Sequence, residues 1–153
     1  MATIRKATPT DQAKAIALLN EFPPDPELPN VNWDDAADSF ATLIEGRVGA
    51  IFVAEEGGEI VGLVTLGYSY VLRFGGIYAM IEEFIVSERM RGKGIASQLI
   101  QAAIQEARRM GCRELQVNGP SPLGRPVYLR NGFHEAGIHM KIQLSGGAST
   151  ASR

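Results

Sequence analysis

The alternation of hydrophobic and polar residues divides the chain into strand-type and helix-type stretches. Strand-type patterns occupy residues 3–6, 50–56, 59–71, 77–86, 112–118 and 133–144. Apolar residues recur three or four positions apart, as on one face of a helix, over residues 9–20, 33–45 and 95–110. A short helix at 126–131 is predicted from Pro126 in its first turn and Gly132 after its end. The resulting order βααβββαβαβ predicts a mixed α/β sheet in which the long helix at 95–110 connects two parallel strands.

Turn and capping residues support these boundaries. The proline-rich segment 23–30 cannot continue a helix and predicts a loop, after which Asn32 is placed to cap the second helix. Gly57 and Gly58 separate two strand-type runs by only two residues. This spacing predicts a tight antiparallel hairpin.

Composition and charge limit the classes of function. With 153 residues, 45% of them hydrophobic, the chain is long enough for one domain, predicted over residues 1–144. The small, polar tail at 145–153 is predicted to be disordered. A net charge of -2 argues against a broad basic surface and so against a nucleic-acid partner. No apolar run reaches the length of a membrane span and no signal peptide is recognisable, so a cytoplasmic protein is expected.

Cysteine is too sparse for a metal centre or a disulfide. Cys112 is the single cysteine, and no Cys/His cluster has metal-binding spacing. It lies where the long helix passes into a strand, which favours a buried thiol over a nucleophile. We therefore expect no metal.

The segment RMRGKGIAS, residues 89–97, combines three cationic side chains with two glycines between a strand and the long helix. A helix start offers unpaired N–H groups to an anion, and glycine allows its close approach. The alternative is a solvated basic turn. The segment does not match the phosphate loop G-x-x-x-x-G-K-[ST], and the dinucleotide pattern G-x-G-x-x-G would need glycine at Ser97.

Residues 89–94, read as R-x-x-G-x-G, resemble the acetyl-CoA loop of the GNAT superfamily, the Gcn5-related N-acetyltransferases. The strand IEEFIV before the loop and VYLRNGF near the C-terminus are also similar to that family. The resemblance spans residues 3–144 and is strongest over 77–104 and 127–133. It implies the GNAT fold, with about seven strands and four helices, and acetyl-CoA as co-substrate.

The resemblance also assigns residues to the co-substrate. Backbone amides of the loop and the helix start would hold the pyrophosphate, with basic side chains at the rim, and the end of the preceding strand would pair with the pantetheine arm. The residues concerned are Phe84, Ile85, Val86, Arg89, Arg91, Gly92, Lys93, Gly94, Ile95, Ala96 and Ser97.

Acetyl transfer to an amine needs a base, because an alkyl amine is mostly protonated at neutral pH, and a proton donor for the thiolate. Consecutive strand residues face opposite sides, so one of Glu82 and Glu83 is expected to point toward the substrate. The resemblance favours Glu82 as the base and Tyr128 as the donor, and Glu83 is then left to bind the ammonium group. The alternatives are exposed surface carboxylates and a tyrosine that only packs.

The acceptor site is less defined. The family often has Asn seven residues before the tyrosine, where this chain has Ser121. The segment 21–38 carries six acidic residues without lysine or arginine, and Trp33 lies within it. This suits a cationic amine, although a solvated acidic loop explains it equally well. Polyamines, aminoglycosides, amino acids and peptide amines all remain open.

Two functions of different classes follow. The first is an N-acetyltransferase that moves acetyl from acetyl-CoA to a primary amine by direct attack in a ternary complex. The second is a non-catalytic acyl-CoA-binding sensor or interaction module. Retention of both Glu82 and Tyr128 favours the enzyme. Members of the family are often dimers, so pairing of two copies through the last strand is also expected.

Overall fold

The computed structural model describes residues 1–21, 31 and 33–144. Three sequence predictions therefore fall outside the described residues: the loop at 23–30, the cap at Asn32 and the disordered tail at 145–153. Among the described residues no helix is long and apolar enough to cross a bilayer.

The described residues form five strands and four α-helices. The strands are β1 Thr3–Lys6, β2 Gly49–Glu56, β3 Glu59–Val71, β4 Gly76–Val86 and β5 Leu115–Val117. The helices are α1 Gln12–Leu19, α2 Ala36–Ile44, α3 Ile95–Arg109 and α4 Arg125–Arg130. Short 3-10 turns lie at Pro9–Asp11, Trp33–Asp35, Leu72–Phe74 and Glu88–Met90.

The strands form one mixed sheet in the order β1-β2-β3-β4-β5. The first three pairings are antiparallel, and β4 and β5 pair in parallel through the α3 crossover, as the sequence predicts. Gly57 and Gly58 both have positive φ, 58° and 80°, at the β2–β3 turn. Consecutive residues with positive φ are what a tight hairpin of this twist requires, which confirms that prediction.

The two faces of the sheet carry separate hydrophobic clusters. α3 and α4 cover one face, where Leu66, Ile81 and Leu99 belong to the same core cluster. α1 and α2 cover the other face, where Leu18, Leu63 and Ile85 pack together. The sheet is therefore buried from both sides, and β3 and β4 contribute to both cores.

The prediction of about seven strands is not confirmed, and the prediction of a last strand is wrong. Residues 133–144 are all described and form no strand. Four apolar side chains in this segment are 81 to 97% exposed: Ile138, Met140, Ile142 and Leu144. Their alternation fits a strand, but a strand also needs an edge to pair with, and the adjacent β5 has only three residues.

An ion pair fastens the start of the chain to the sheet. The Asp11 carboxylate, 5% exposed, accepts hydrogen bonds from Arg5 Nη1 and Nη2 at 2.7 and 2.9 Å. It also accepts one from the Thr8 backbone N–H at 2.7 Å. The same arginine donates from Nε to Glu55 at 3.0 Å. The Arg5 guanidinium thereby connects β1, the turn before α1, and β2.

Candidate active site

The glycine-rich segment forms the passage from β4 to α3. Met90 is buried and anchors the 3-10 turn, while Gly92 and Gly94 take positive φ values of 79° and 82°. α3 begins at Ile95, and no side chain of the described residues caps it by a hydrogen bond. The N–H groups of the first turn have no partner within a helix, so this end is open to an anion. The backbone conformation fits the role predicted for Gly92 and Gly94.

A groove of about 380 Å³ opens at this helix start. One wall is the end of β4, residues 84–86, and a second is the glycine loop with the first turn of α3. The third wall is the segment 121–130. Within this segment the sequence predicted only one site residue, Tyr128. We call this space the co-substrate groove. Of the predicted co-substrate residues, it is lined by Phe84, Ile85, Val86, Arg91, Gly92, Gly94, Ile95, Ala96 and Ser97.

β4 and β5 separate beside this groove. β5 pairs with β4 only over Ala79–Ile81, so β5 leaves the edge of residues 84–86 without a paired strand. The other edge of these residues pairs with β3. The Val86 carbonyl accepts a hydrogen bond from Arg91 Nε at 3.3 Å. An extended ligand can lie along the open main chain of β4, as an added strand would.

The three cationic side chains of the loop are exposed, and of the three Arg91 lines the groove whereas Arg89 and Lys93 do not. Arg89, Arg91 and Lys93 all lie on the outer surface of the glycine loop. Lys93 Nζ is 3.7 Å from Met90 Sδ, a weak contact that leaves its charge in solvent. Such charges attract a polyphosphate without a buried ion pair, and salt screens them.

Tyr128 lies beneath the groove in the core cluster of α3 and α4. It is 4% exposed, and its ring packs on Phe84 and Phe133 with centroid distances of 5.5 and 5.2 Å. Burial raises the pKa of its hydroxyl above the ordinary value. The phenol therefore stays protonated at neutral pH and is able to donate.

Ser121 builds the turn that presents α4. Its Oγ accepts a hydrogen bond from the Gly124 N–H at 3.0 Å, and its carbonyl accepts one from the Arg125 N–H at 2.9 Å. A Cβ at Gly124 would lie 3.2 Å from this Oγ and 3.4 Å from the Tyr128 ring, so glycine permits the close approach. Ser121, which stands where the GNAT pattern often has Asn, thus has a local structural role.

Asn131 connects α4 to the start of α3. Its Nδ2 donates to Ser97 Oγ at 3.2 Å and to the Val127 carbonyl at 2.8 Å, and its Oδ1 accepts from Gln101 at 2.5 Å. Sequence reasoning missed this residue, because nothing in RNGF marks its amide as a bridge between two helices.

Glu82 and Glu83 lie on the same face of the sheet, so the prediction that they face opposite sides is wrong. The β3–β4 register shifts between Val64 and Leu66, opposite residues 81–84. Ile81 and Phe84 both pack against the α3 side. Glu82 and Glu83, which lie between them, therefore face the opposite side. A β-bulge of this kind interrupts strict alternation. We call the side covered by α1 and α2 the carboxylate face.

Neighbouring groups on β3 fix the positions of the two carboxylates. Thr65, 3% exposed, donates from Oγ1 to Glu83 Oε1 in a short hydrogen bond and accepts one from the Glu83 N–H at 2.9 Å. Glu82 Oε2 lies 3.8 Å from where a Cβ at Gly67 would be. Sequence reasoning missed Thr65, since a threonine in a buried strand carries no sign of its partner.

Both carboxyl groups hold their protons more strongly than an exposed glutamate. Desolvation raises the pKa of Glu82, and the charge of Glu83 raises it further. Desolvation also raises the pKa of Glu83, against the hydrogen bond from Thr65, which lowers it. A carboxylate with a raised pKa is a better proton acceptor for an ammonium group than an ordinary one.

Trp33 packs against the core cluster of the carboxylate face from the 3-10 turn before α2. It lies on the side of the sheet where the two glutamates are, although most of the acidic segment that was expected to surround the acceptor is outside the described residues. Among the described residues no group of three His, Cys, Asp or Glu side chains is arranged to hold a metal ion.

A second, larger groove of about 560 Å³ runs along the outer side of α3. Ile4 and Phe52 line it, and glutamines of α3 form its rim. It shares only Ser97 with the predicted site and is lined by neither Glu82 nor Glu83. The co-substrate groove, with the glycine loop and the open edge of β4, is therefore the candidate active site.

Comparisons with known proteins agree with this geometry. Residues 13–133 match the model of the acetyltransferase (GNAT) family. The chain is 31% identical over 137 residues to an aminoalkylphosphonate N-acetyltransferase of Salmonella typhimurium, covering 87% of this chain and 85% of that protein. It is 28% identical over 145 residues to a probable glucosamine 6-phosphate N-acetyltransferase of Oryza sativa, covering 91% and 86%.

A solved structure shares the fold. The acetyltransferase of Clostridium acetobutylicum, determined with acetyl-CoA, superposes with a TM-score of 0.76 at 19% identity, covering 94% of this chain and 96% of that one. The family model extends over most of the chain, including the glycine loop, β4 and Tyr128. This chain belongs to the GNAT family of acetyltransferases and is an acyltransferase.

Proposed function

We propose that the protein, as one domain over residues 1–144, transfers an acetyl group from acetyl-CoA to the primary amine of a small molecule by direct attack in a ternary complex. One observation supports this most: the co-substrate groove and the carboxylate face meet at β4, where β5 has stopped pairing. A thioester bound in the groove and an amine bound on the carboxylate face would meet at this open edge of β4.

In this proposal the main chain does most of the co-substrate binding. N–H groups of residues 92–97 hold the pyrophosphate, and the exposed Arg89, Arg91 and Lys93 add attraction that salt should weaken. Main-chain groups of Phe84, Ile85 and Val86 pair with the pantetheine arm. Acetyl-CoA supplies an activated acyl group, because its leaving group, a thiolate, is a weak base.

The chain itself supplies the base, Glu82, and the acid, Tyr128. Glu82, directly or through water, accepts the proton that the ammonium group must lose before its nitrogen can attack. Glu83, oriented by Thr65, holds the ammonium group by charge. Tyr128 donates toward the departing sulfur, and Tyr128→Phe should retain CoA binding while turnover falls, since the ring packing is kept.

Two relatives suggest the class of acceptor. Their names, aminoalkylphosphonate and glucosamine 6-phosphate N-acetyltransferase, both describe an amine that also carries an anionic phosphorus group. We propose a small amine of this general kind over the cationic amines that the acidic segment suggested. The cytoplasmic location stays a prediction from the sequence.

Release of free CoA thiol, measured with acetyl-CoA and a panel of cationic, neutral and anionic amines, tests the proposal. We expect turnover with at least one small amine, and mass spectrometry should find the acetylated amine. Binding of acetyl-CoA with no turnover on any amine would contradict the enzyme and support the acyl-CoA sensor.

We also propose that two copies of the chain pair through residues 133–144. The alternating apolar side chains of this segment are exposed in the single chain, and burial against a second copy would remove them from water. Light scattering should give a dimer mass, and the paired substitution Ile138→Asp with Met140→Asp should give a monomer. A monomeric wild-type chain would refute the pairing.

A further inference from the structure

An arginine stacked on two aromatic rings lies at the tip of the β3–β4 hairpin. The Arg73 guanidinium carbon is 4.8 Å from the centroid of the Phe74 ring and 5.5 Å from that of the Tyr78 ring. The two rings meet edge to face, 6.2 Å apart at 74°. Such cation–π contacts restrict where the guanidinium lies while its N–H groups remain able to bind.

The position of Tyr78 places this cluster on the carboxylate face. Tyr78 pairs with Ser69, and Met80 pairs with Gly67, where an added Cβ would lie 3.8 Å from Glu82 Oε2. Residues two apart on a strand share a face, so Tyr78 follows Met80 on the side of the two glutamates. Ala79 and Ile81, which alternate with them, are buried residues, and Ile81 packs on the α3 side.

The two glutamates and the hairpin cluster lie along the same stretch of β3 and β4. The Glu82 carboxylate lies over Gly67, and Ser69, opposite Tyr78, is two residues farther along β3. Two residues of strand correspond to roughly 7 Å. Arg73 follows at the hairpin tip, with its guanidinium carbon 5.5 Å from the Tyr78 ring centroid. A molecule with an amine at one end and an anion at the other, bound through contacts of about 3 Å at each end, can extend from Glu82 toward this cluster.

The charge of Arg73 is available to a ligand. Within the described part of the chain it forms no ion pair, in contrast to Arg5 and Arg109, each of which contacts a carboxylate. The guanidinium has five donors in a planar fork, the geometry that matches the oxygens of a phosphate or phosphonate. A polyamine would instead place a second positive charge beside it, which is unfavourable.

We propose that Arg73, held against Phe74 and Tyr78, binds the anionic phosphorus group of the acceptor whose amine is bound by Glu82 and Glu83. This assignment rests on the proposed function, since it takes the carboxylate face to be the amine site. It names a specificity residue outside the acetyl-CoA loop and makes the β3–β4 hairpin part of the acceptor site. The acceptor class is then an amine with a phosphate or phosphonate a few bonds away.

Matched pairs of acceptors test the role of Arg73. The pairs are 2-aminoethylphosphonate with ethanolamine, and glucosamine 6-phosphate with glucosamine. Wild-type protein should prefer the anionic member of at least one pair. Arg73→Gln should lower kcat/KM for that member by roughly 10- to 100-fold, the effect of one charge-assisted hydrogen-bonding group, and change the neutral member far less.

Two further variants sharpen the result. Arg108→Gln removes an exposed arginine of α3 whose side chain forms no hydrogen bond or ion pair with the described residues, and it should leave both members of each pair unchanged. Arg73→Lys keeps the charge but loses the planar fork, so it should recover only part of the preference. An equal loss on both members, or no loss on the anionic one, would overturn the assignment.

A separate measurement distinguishes failure of this inference from failure of the proposed function. If the wild-type protein acetylates no amine, the enzyme proposal fails, and calorimetric titration of 2-aminoethylphosphonate into the CoA-bound protein still decides the subsite. Binding to wild type that is lost in Arg73→Gln supports it. Equal binding to both proteins, or binding to neither, contradicts it.

Discussion

Glu82 and Glu83 lie side by side on one face of the sheet, so the ionisation of each carboxylate depends on the other. The pKa of Glu82 is raised by desolvation and by the charge of Glu83. The pKa of Glu83 is raised by desolvation and lowered by the hydroxyl of Thr65. The ionisation of this carboxylate pair therefore depends on three side chains, Glu82, Glu83 and Thr65, of which the first two are ionisable.

Glu82→Gln should lower kcat by roughly 100-fold or more, the usual contribution of a general base. In the wild-type protein kcat/KM should fall as pH drops through a value above the ordinary pKa of glutamate, because the folded environment raises that pKa. The variant should lose this acidic limb. Glu59→Gln, a change of an exposed glutamate in the β2–β3 hairpin, is the control. A full pH profile at normal rates in Glu82→Gln would exclude Glu82 as the base.

Thr65→Val should move the acidic limb of the pH profile, and the direction identifies the base. Loss of the hydroxyl raises the pKa of Glu83, so Glu83 is less charged at a given pH and raises the pKa of Glu82 less. The limb therefore moves to lower pH when Glu82 is the base and to higher pH when Glu83 is.

Thr65→Ser retains the hydroxyl and should keep the wild-type profile. We expect the shift to lower pH. An unchanged profile in Thr65→Val would mean that Thr65 has no influence on the catalytic base.

The elements of the chain differ in how far local sequence determines them. The Gly57–Gly58 turn and the glycine loop before α3 are predicted well, because their backbone conformations depend on the glycines themselves. The last strand is wrong because pairing depends on a neighbouring edge, which residues 133–144 do not reveal. The bulge opposite Thr65 is likewise a property of two strands together, so the shared face of the two glutamates was not predictable.

Gly94→Ala should weaken CoA binding roughly tenfold or more, because the loop amides shift away from the positions that an anion needs. It should also lower the free energy of unfolding by about 1 kcal/mol, since an L side chain is strained at positive φ. Gly58→Ala has nearly the same φ, 80° against 82°, and neither added Cβ meets an atom within 4 Å.

The two glycine variants should therefore lose similar stability, measured by urea unfolding, while only Gly94→Ala binds CoA less well in calorimetry. Equal CoA affinity in Gly94→Ala and the wild-type protein would show that the loop amides do not contact the ligand.

At the scale of the whole molecule, the site depends on a sheet whose first strand is held by few residues. β1 has four residues, and the Arg5–Asp11–Glu55 cluster connects it to α1 and β2. The hydrogen bonds from Arg5 lower the pKa of Asp11 to about 2, from an ordinary 3.8. This difference corresponds to roughly 2 kcal/mol of folding free energy at neutral pH.

The sign follows from the lowered pKa: the contribution is fully present above the unfolded pKa, near 4, and is lost as pH falls toward 2. Asp11→Asn should therefore be less stable than wild type at pH 6 by roughly 2 kcal/mol. The difference should shrink between pH 4 and pH 2 in chemical unfolding measured at each pH. A difference that does not vary with pH would mean that the effect of the substitution is not electrostatic.

In the proposed function, the uncapped start of α3 links the stability of the folded chain to its supply of co-substrate. A helix whose first N–H groups have no side-chain partner gains stability when an anion occupies them. By mass action, a ligand present at 100 times its Kd adds about 2.7 kcal/mol to the free energy of unfolding. With the proposed binding of acetyl-CoA at this site, the protein without co-substrate should therefore be cleaved by protease faster than the acetyl-CoA complex.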